Sequence, residues 1–225
     1  MKENLERGIR YYHAHRYEQA LVELQLSAEG GEETPETSYY LGLALTQLGR
    51  YEDALLHLER VVNEGFSFLH VVQSRMVLGY IYAVTGRWKL AEFEFANVSD
   101  SGLQSSQAFA ALGYVKYAQR KVPESVELLQ KAISLDPRNA NALNSLGFIY
   151  AEENIDLGRA LTLCRQAVEE NPRNPAYLDS LGWANFRAGD LVEARTCIRK
   201  ALELAPGNKE IAGHLREVLG KLKNP

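Results

Sequence analysis

Cysteine, proline, long apolar runs and surplus basic charge are all scarce in this chain of 225 residues, and each scarcity excludes something. Two cysteines, Cys164 and Cys197, cannot build a disulfide framework and have no second pair to complete a metal site, so a reducing compartment suits them. No run approaches the roughly eighteen apolar residues of a membrane helix, and Met1-Lys2-Glu3-Asn4 opens directly into a polar helical pattern without the apolar core of a signal peptide. The expectation is a cytoplasmic protein, or a soluble form whose targeting segment has been removed. The seven prolines and 24% charged residues are those of a folded chain of one or two compact domains rather than a disordered one. A formal net charge of −4 argues against nucleic-acid partners and against an anionic membrane surface, since both require clustered Lys and Arg.

Against these absences stands a repeat. Gly8, Gly42, Gly79, Gly113, Gly147 and Gly182 follow one another at intervals of 34, 37, 34, 34 and 35 residues. Leucine precedes all but the first, which has Arg7. A small residue follows each glycine by about twelve positions: Ala20, Ala54, Ala91, Ser125, Ala160 and Ala194. Four residues beyond these lie Leu24, Leu58, Phe95, Leu129, Cys164 and Ile198. Gly49-Arg50-Tyr51, Gly86-Arg87-Trp88 and Gly189-Asp190-Leu191 read as a helix stop, a turn and entry to a second helix. Asp136-Pro137, Asn171-Pro172 and Ala205-Pro206 end that second helix, because proline cannot continue it. Each repeat is therefore a helix-turn-helix. A glycine inside a helix costs about 1 kcal/mol relative to alanine, so its recurrence implies a close helix crossing that offsets the cost.

The pattern resembles the tetratricopeptide repeat family, whose period of about 34 residues carries W-x2-L-G-x2-Y, then A-x3-F, then P. The third repeat reads Leu78-Gly79-x2-Tyr82 and Ala91-x3-Phe95; the fifth reads Leu146-Gly147-x2-Tyr150 with Pro172; the sixth has Leu181-Gly182, Ala194-x3-Ile198 and Pro206. Departures lie at Arg7, at Lys116 and Asn185 in the tyrosine position, in three extra residues around Gly65-Phe66-Ser67-Phe68, and in one near Asn154-Ile155-Asp156. The resemblance implies an all-α fold: a right-handed α-solenoid superhelix of six helix-turn-helix repeats at about 1–34, 35–68, 69–104, 105–138, 139–173 and 174–207, closed by a capping helix at 208–222 and forming a single domain over 1–225. The C-terminal segment Tyr177 to Leu219 is similar to the ends of many bacterial repeat proteins.

In this family the first helix of each repeat lines the concave side, where ligands usually lie. The resemblance maps that groove onto Leu5, Ile9, Tyr12 and His13; Tyr39, Leu43 and Gln47; Met76, Tyr80 and Val84; Tyr114 and Tyr117; Asn144, Phe148 and Glu152; and Asp179, Trp183, Phe186 and Arg187. Tyr80, Tyr114, Phe148 and Trp183 follow their glycines directly and form an aromatic stripe, and large stiff rings are the residues that anchor interfaces. Trp183 is expected to stand in the groove, and Trp88 to be packed between helices, while Tyr82 and Tyr150 are expected to be buried. The clamp with which co-chaperones of this family hold an acidic C-terminus needs Lys and Asn where Leu5, Ile9, Tyr39 and Leu43 stand, so that specificity is not expected.

No chemistry emerges elsewhere. His13-Ala14-His15 lacks a third ligand, His57, His70 and His214 belong to separate repeats, and Gly30-Gly31-Glu32-Glu33 has the wrong sign to hold phosphate. The expectation is no enzyme, no cofactor and no metal, but an adaptor that takes a peptide or helix of a protein partner in an aromatic groove and assists assembly of a larger complex. A self-associating scaffold, a homo-oligomer formed through the groove, is the alternative.

Overall fold

In the computed structural model residues 2–30 and 33–223 are described. Among them thirteen helices appear and no strand: α1 (Lys2–His13), α2 (Tyr17–Glu29), α3 (Pro35–Gln47), α4 (Tyr51–Glu64), α5 (Phe68–Val84), α6 (Trp88–Asp100), α7 (Ser106–Ala118), α8 (Val122–Leu135), α9 (Ala140–Glu152), α10 (Leu157–Glu170), α11 (Pro175–Arg187), α12 (Leu191–Leu204) and α13 (Lys209–Lys223). By their contacts the helices group into two compact units, Met1–Leu103 and Gln104–Pro225. Each holds three antiparallel helix hairpins, and the C-terminal unit adds α13.

The hairpins close around their glycines. A Cβ placed on Gly42 would lie 2.5 Å from Leu58 Cγ, and one on Gly79 2.5 Å from a ring carbon of Phe95. The partner in every hairpin is the residue four beyond the small one. Glycine thus makes room for a large side chain of the second helix, which is fully or nearly fully buried at Leu24, Leu58, Phe95, Leu129, Cys164 and Ile198. In the last two hairpins the backbones themselves approach: Cβ atoms at Gly147 and Gly182 would lie 3.1 and 3.0 Å from the carbonyl oxygens of Ala160 and Ala194. Contact along these crossings offsets the glycine penalty. Ser125 replaces alanine in the fourth hairpin and donates its hydroxyl to the Gly113 carbonyl at 2.7 Å.

The turn between the two helices is the same six times. Seven residues after each glycine the backbone is left-handed, at His15, Gly49, Gly86, Arg120, Asn154 and Gly189. The next amide then reaches back five residues, as in Arg50 N–H to Leu45 O and Lys121 N–H to Lys116 O, the hydrogen bond of a Schellman stop. His15 and Arg120 hold this conformation with side chains that favour it less than glycine does. The extra residue after Asn154 makes Asp156 the cap of α10, its carboxylate accepting from Arg159 N–H. First helices after the opening one begin at a capping side chain: Thr34, Ser67, Ser105, Asn139 and Asn174.

In the C-terminal unit α13 covers α11 and α12. Ile211 and Val218 are buried against Leu178, Ala194, Ile198 and Ala201, and the opposite side of α13 carries charge, as a cap on a repeat array requires.

Candidate protein-binding faces

The first helices of the N-terminal unit are α1, α3 and α5, which pack side by side. Their aromatic residues are joined in chains. Tyr12, half-buried, meets Tyr17 and Tyr40 at ring separations of 5.7 and 5.9 Å. Tyr39 is buried, sets its ring edge-on to His70 at 4.7 Å and donates its hydroxyl to Gln73 Oε1 at 2.6 Å. Burial, then the neighbouring tyrosines, push the Tyr39 phenol up to about 12, so it acts as a neutral donor. Beyond Tyr39 the face opens into a cleft of about 550 Å³, lined by Thr46, Gln47, Leu48, Gly49, Tyr51, Met76, Val77 and Tyr80. Tyr80 is 48% exposed there and lies 6.5 Å from the Tyr51 ring.

In the C-terminal unit the first helices are α7, α9 and α11. Tyr114 is 51% exposed. Tyr117 packs edge-on to Phe148 at 6.3 Å and donates to Glu153 Oε1 at 3.2 Å; burial first, and the Glu153 charge second, push its phenol up to about 12. Asn144 is half-buried, and its Oδ1 is buried without a hydrogen-bond partner among the described residues. The remaining four residues expected in the groove form a closed cluster. Trp183 donates Nε1–H to Glu152 Oε2 at 2.8 Å, and its ring lies flat on His214 at 4.3 Å and near Phe186 at 5.0 Å. Arg187 donates to the Glu152 carbonyl oxygen at 2.9 Å, and Asp179 Oδ2 pairs with His214 Nδ1 at 2.8 Å. Burial would lower the His214 pKa, but the hydrogen bond and charge of Asp179, with Glu210 and Glu217, outweigh it and raise the pKa.

Three expectations are corrected by this geometry. Trp183 does not stand open in a groove: it is 7% exposed, less than Trp88, which is only half-buried at the start of α6. What covers it is α13, which packs on α11 and α12 and lays His214 on the indole. Asp179 is buried by the same helix. Tyr39 is buried beside α5, its ring edge-on to His70 and its hydroxyl bonded to Gln73. Tyr82 and Tyr150 are buried as expected.

Tyr40, Tyr51, His70 and His214 belong to these faces without having been foreseen. His214 was legible, since it lies 35 residues after Asp179 and so continues the repeat spacing; nothing in the sequence singled out Tyr51. No group of three or more His, Cys, Asp or Glu among the described residues is placed to hold a metal. Burial pushes the thiols of Cys164 and Cys197 up to about 12, which leaves both protonated and inert at neutral pH. Of the acidic loop, Gly31 and Glu32 lie outside the described residues; Glu33 pairs with His57 and Arg60 of α4 at 2.8 and 3.1 Å.

Family models described as tetratricopeptide or TPR repeat match residues 5–68, 113–153 and 175–208, between them more than half of the chain. The chain belongs to the tetratricopeptide repeat family. A TPR repeat-containing protein of Pseudomonas aeruginosa is 44% identical over 89 residues, 40% of this chain and 15% of that protein. The chain thus spans less than a fifth of that relative's length. Among solved structures, the Cut9–Hcn1 hetero-tetramer of APC/C superposes over 96% of this chain and 42% of its own, with a TM-score of 0.82 at 14% identity. YrrB, a TPR protein with an unusual peptide-binding site, matches 86% of this chain and 97% of its own, with a TM-score of 0.56 at 20% identity. At such identities the likeness establishes the repeat fold. No helix among the described residues is long and apolar enough to cross a membrane.

Proposed function

We propose that this chain is a non-catalytic, cytoplasmic adaptor that binds a segment of a protein partner on the first-helix face of its N-terminal unit. The observation that carries the reading is the cleft between α3 and α5, where Tyr80 and Met76 meet Tyr51 and Gln47 around about 550 Å³ of open space. A cleft of this size, with a half-exposed tyrosine and a flexible thioether beside amide and hydroxyl groups, suits an apolar side chain of an extended or helical peptide. The peptide-binding role of YrrB supports the reading by fold alone. Two buried thiols with no disulfide are consistent with a reducing compartment.

Panning a random peptide library against the whole protein tests this directly. Selected peptides should lose at least tenfold in affinity for Tyr80→Ala and Met76→Ala and keep it for Leu56→Ser, on the far side of α4. A selection in which no peptide loses affinity on Tyr80→Ala or Met76→Ala would refute the cleft as the site. If the protein elutes as a concentration-dependent oligomer that Tyr80→Ala dissolves, the cleft accepts another copy instead.

A further inference from the structure

Single apolar side chains left in water are ordinary on any protein surface. The N-terminal unit instead repeats them at one position of its second helices. Val22, Leu56 and Phe93 each lie two residues after the alanine that enters the hairpin crossing, so they face away from it, and they are 56%, 70% and 58% exposed. Leu26, one turn beyond Val22, and Leu90, one turn before Phe93, widen the stripe. The repeat does not require this. The corresponding residues of the C-terminal unit are Glu127, Thr162 and Thr196, the two threonines bonding to carbonyls of their own helices.

Charge distinguishes the same helices. Together α2, α4 and α6 carry ten Asp and Glu against Arg60 and Lys89, whereas α8, α10 and α12 carry six acidic and six basic residues. Arg60 is held by Glu33 and Glu64, and Glu18, Glu29 and Asp100 have no ion pair among the described residues. Over residues 1–103 fifteen acidic side chains outnumber nine basic ones, while residues 104–225 hold fourteen and sixteen. Glu23, Glu52, Asp53 and Glu94 pair with Arg7, Arg87, Arg50 and Arg75 of neighbouring segments, so the negative charge offered beside the apolar stripe is that of exposed Glu18, Glu29 and Asp100.

We propose that the outer face of α2, α4 and α6 is a second docking surface, and that its occupant is an amphipathic helix of a protein partner whose apolar stripe is bordered by Lys and Arg. An apolar strip sorts for a helical apolar face, and the acidic border sets sign and orientation. Two copies of this face would repel one another, and an anionic membrane would be repelled as well. The surface is separate from the α3–α5 cleft, so either can fail without the other.

The probe is a fluorescent 18-residue Leu/Lys amphipathic peptide, titrated by anisotropy against the whole chain beside a Leu/Glu peptide of the same pattern and a scrambled Leu/Lys peptide. The Lys-bordered helix should bind at least tenfold tighter than either control. Leu56→Ser with Phe93→Ser should cost tenfold or more at an unchanged melting temperature. Glu18→Lys with Asp100→Lys, which leaves the stripe intact, should weaken binding severalfold, and Tyr80→Ala should leave it unchanged. Equal binding of either control, undiminished binding by the Ser double variant, or loss on Tyr80→Ala would overturn the proposal. A dimer of the wild-type chain that the Ser double variant dissolves would overturn it too, by making a second copy the occupant.

Discussion

Gly182→Ala and Gly213→Ala add the same methyl group to two helices of the C-terminal unit and should move stability in opposite directions. At Gly213, on α13, the nearest heavy atom is an Arg216 guanidinium nitrogen 4.0 Å away. The methyl enters without a clash, and the backbone term alone favours alanine by about 0.5–1 kcal/mol. At Gly182 the methyl would lie 3.0 Å from the Ala194 carbonyl oxygen and 3.1 Å from the Ile198 nitrogen, and would overlap Ile198 Cγ1. Ile198 is fully buried, so its side chain has no open space to turn into. The two backbone atoms cannot give unless α11 and α12 part. Overpacking costs about 1–3 kcal/mol; backbone contact places Gly182 at the upper end, which leaves a net loss of about 2 kcal/mol after the propensity gain. In a chain of this size 1 kcal/mol moves Tm by about 2–4 °C. Thermal unfolding followed by far-UV circular dichroism should therefore show Gly182→Ala lower by about 4–8 °C and Gly213→Ala higher by about 1–4 °C. A Gly182→Ala protein that melts at or above the wild type would refute the close-crossing account of the repeat.

Trp183→Ala should cost about 3–5 kcal/mol as a core deletion, since the indole is stacked under α13 and bonded to Glu152; urea unfolding indistinguishable from the parent would show that it does not hold the cap. The raised pKa of folded His214 means that its pairing with Asp179 stabilises fully below the unfolded value of about 6.5 and fades as pH climbs through the folded value. Amide exchange in α13, corrected for its intrinsic pH dependence, should accordingly be less protected at pH 8 than at pH 6, and His214→Gln should abolish the difference. Neither Cys164 nor Cys197 should react with a disulfide reagent at pH 8 until denaturant is added; prompt labelling of the folded protein would contradict their burial.

The repeat was legible because it is a local code. Glycine, the small residue about twelve positions on and the large one four beyond sit on two consecutive helices, and their contact depends only on a hairpin whose turn is also written locally. Helix number, hairpin pairing, the buried tyrosines at 82 and 150 and the cap at α13 all follow from that spacing. Exposure of the residue after each glycine does not, because it depends on what lies across from it. Trp183 and Tyr80 hold the same place in their repeats, yet one is sealed by His214 and the other borders an open cleft. The apolar and acidic outer face of α2, α4 and α6 was likewise visible residue by residue, but it becomes a surface only when three helices, whose matching positions Val22, Leu56 and Phe93 lie 34 and 37 residues apart, present them together to solvent. Periodicity encodes contacts within a hairpin; burial between hairpins is a property of neighbours, and only the packed chain decides which neighbours those are.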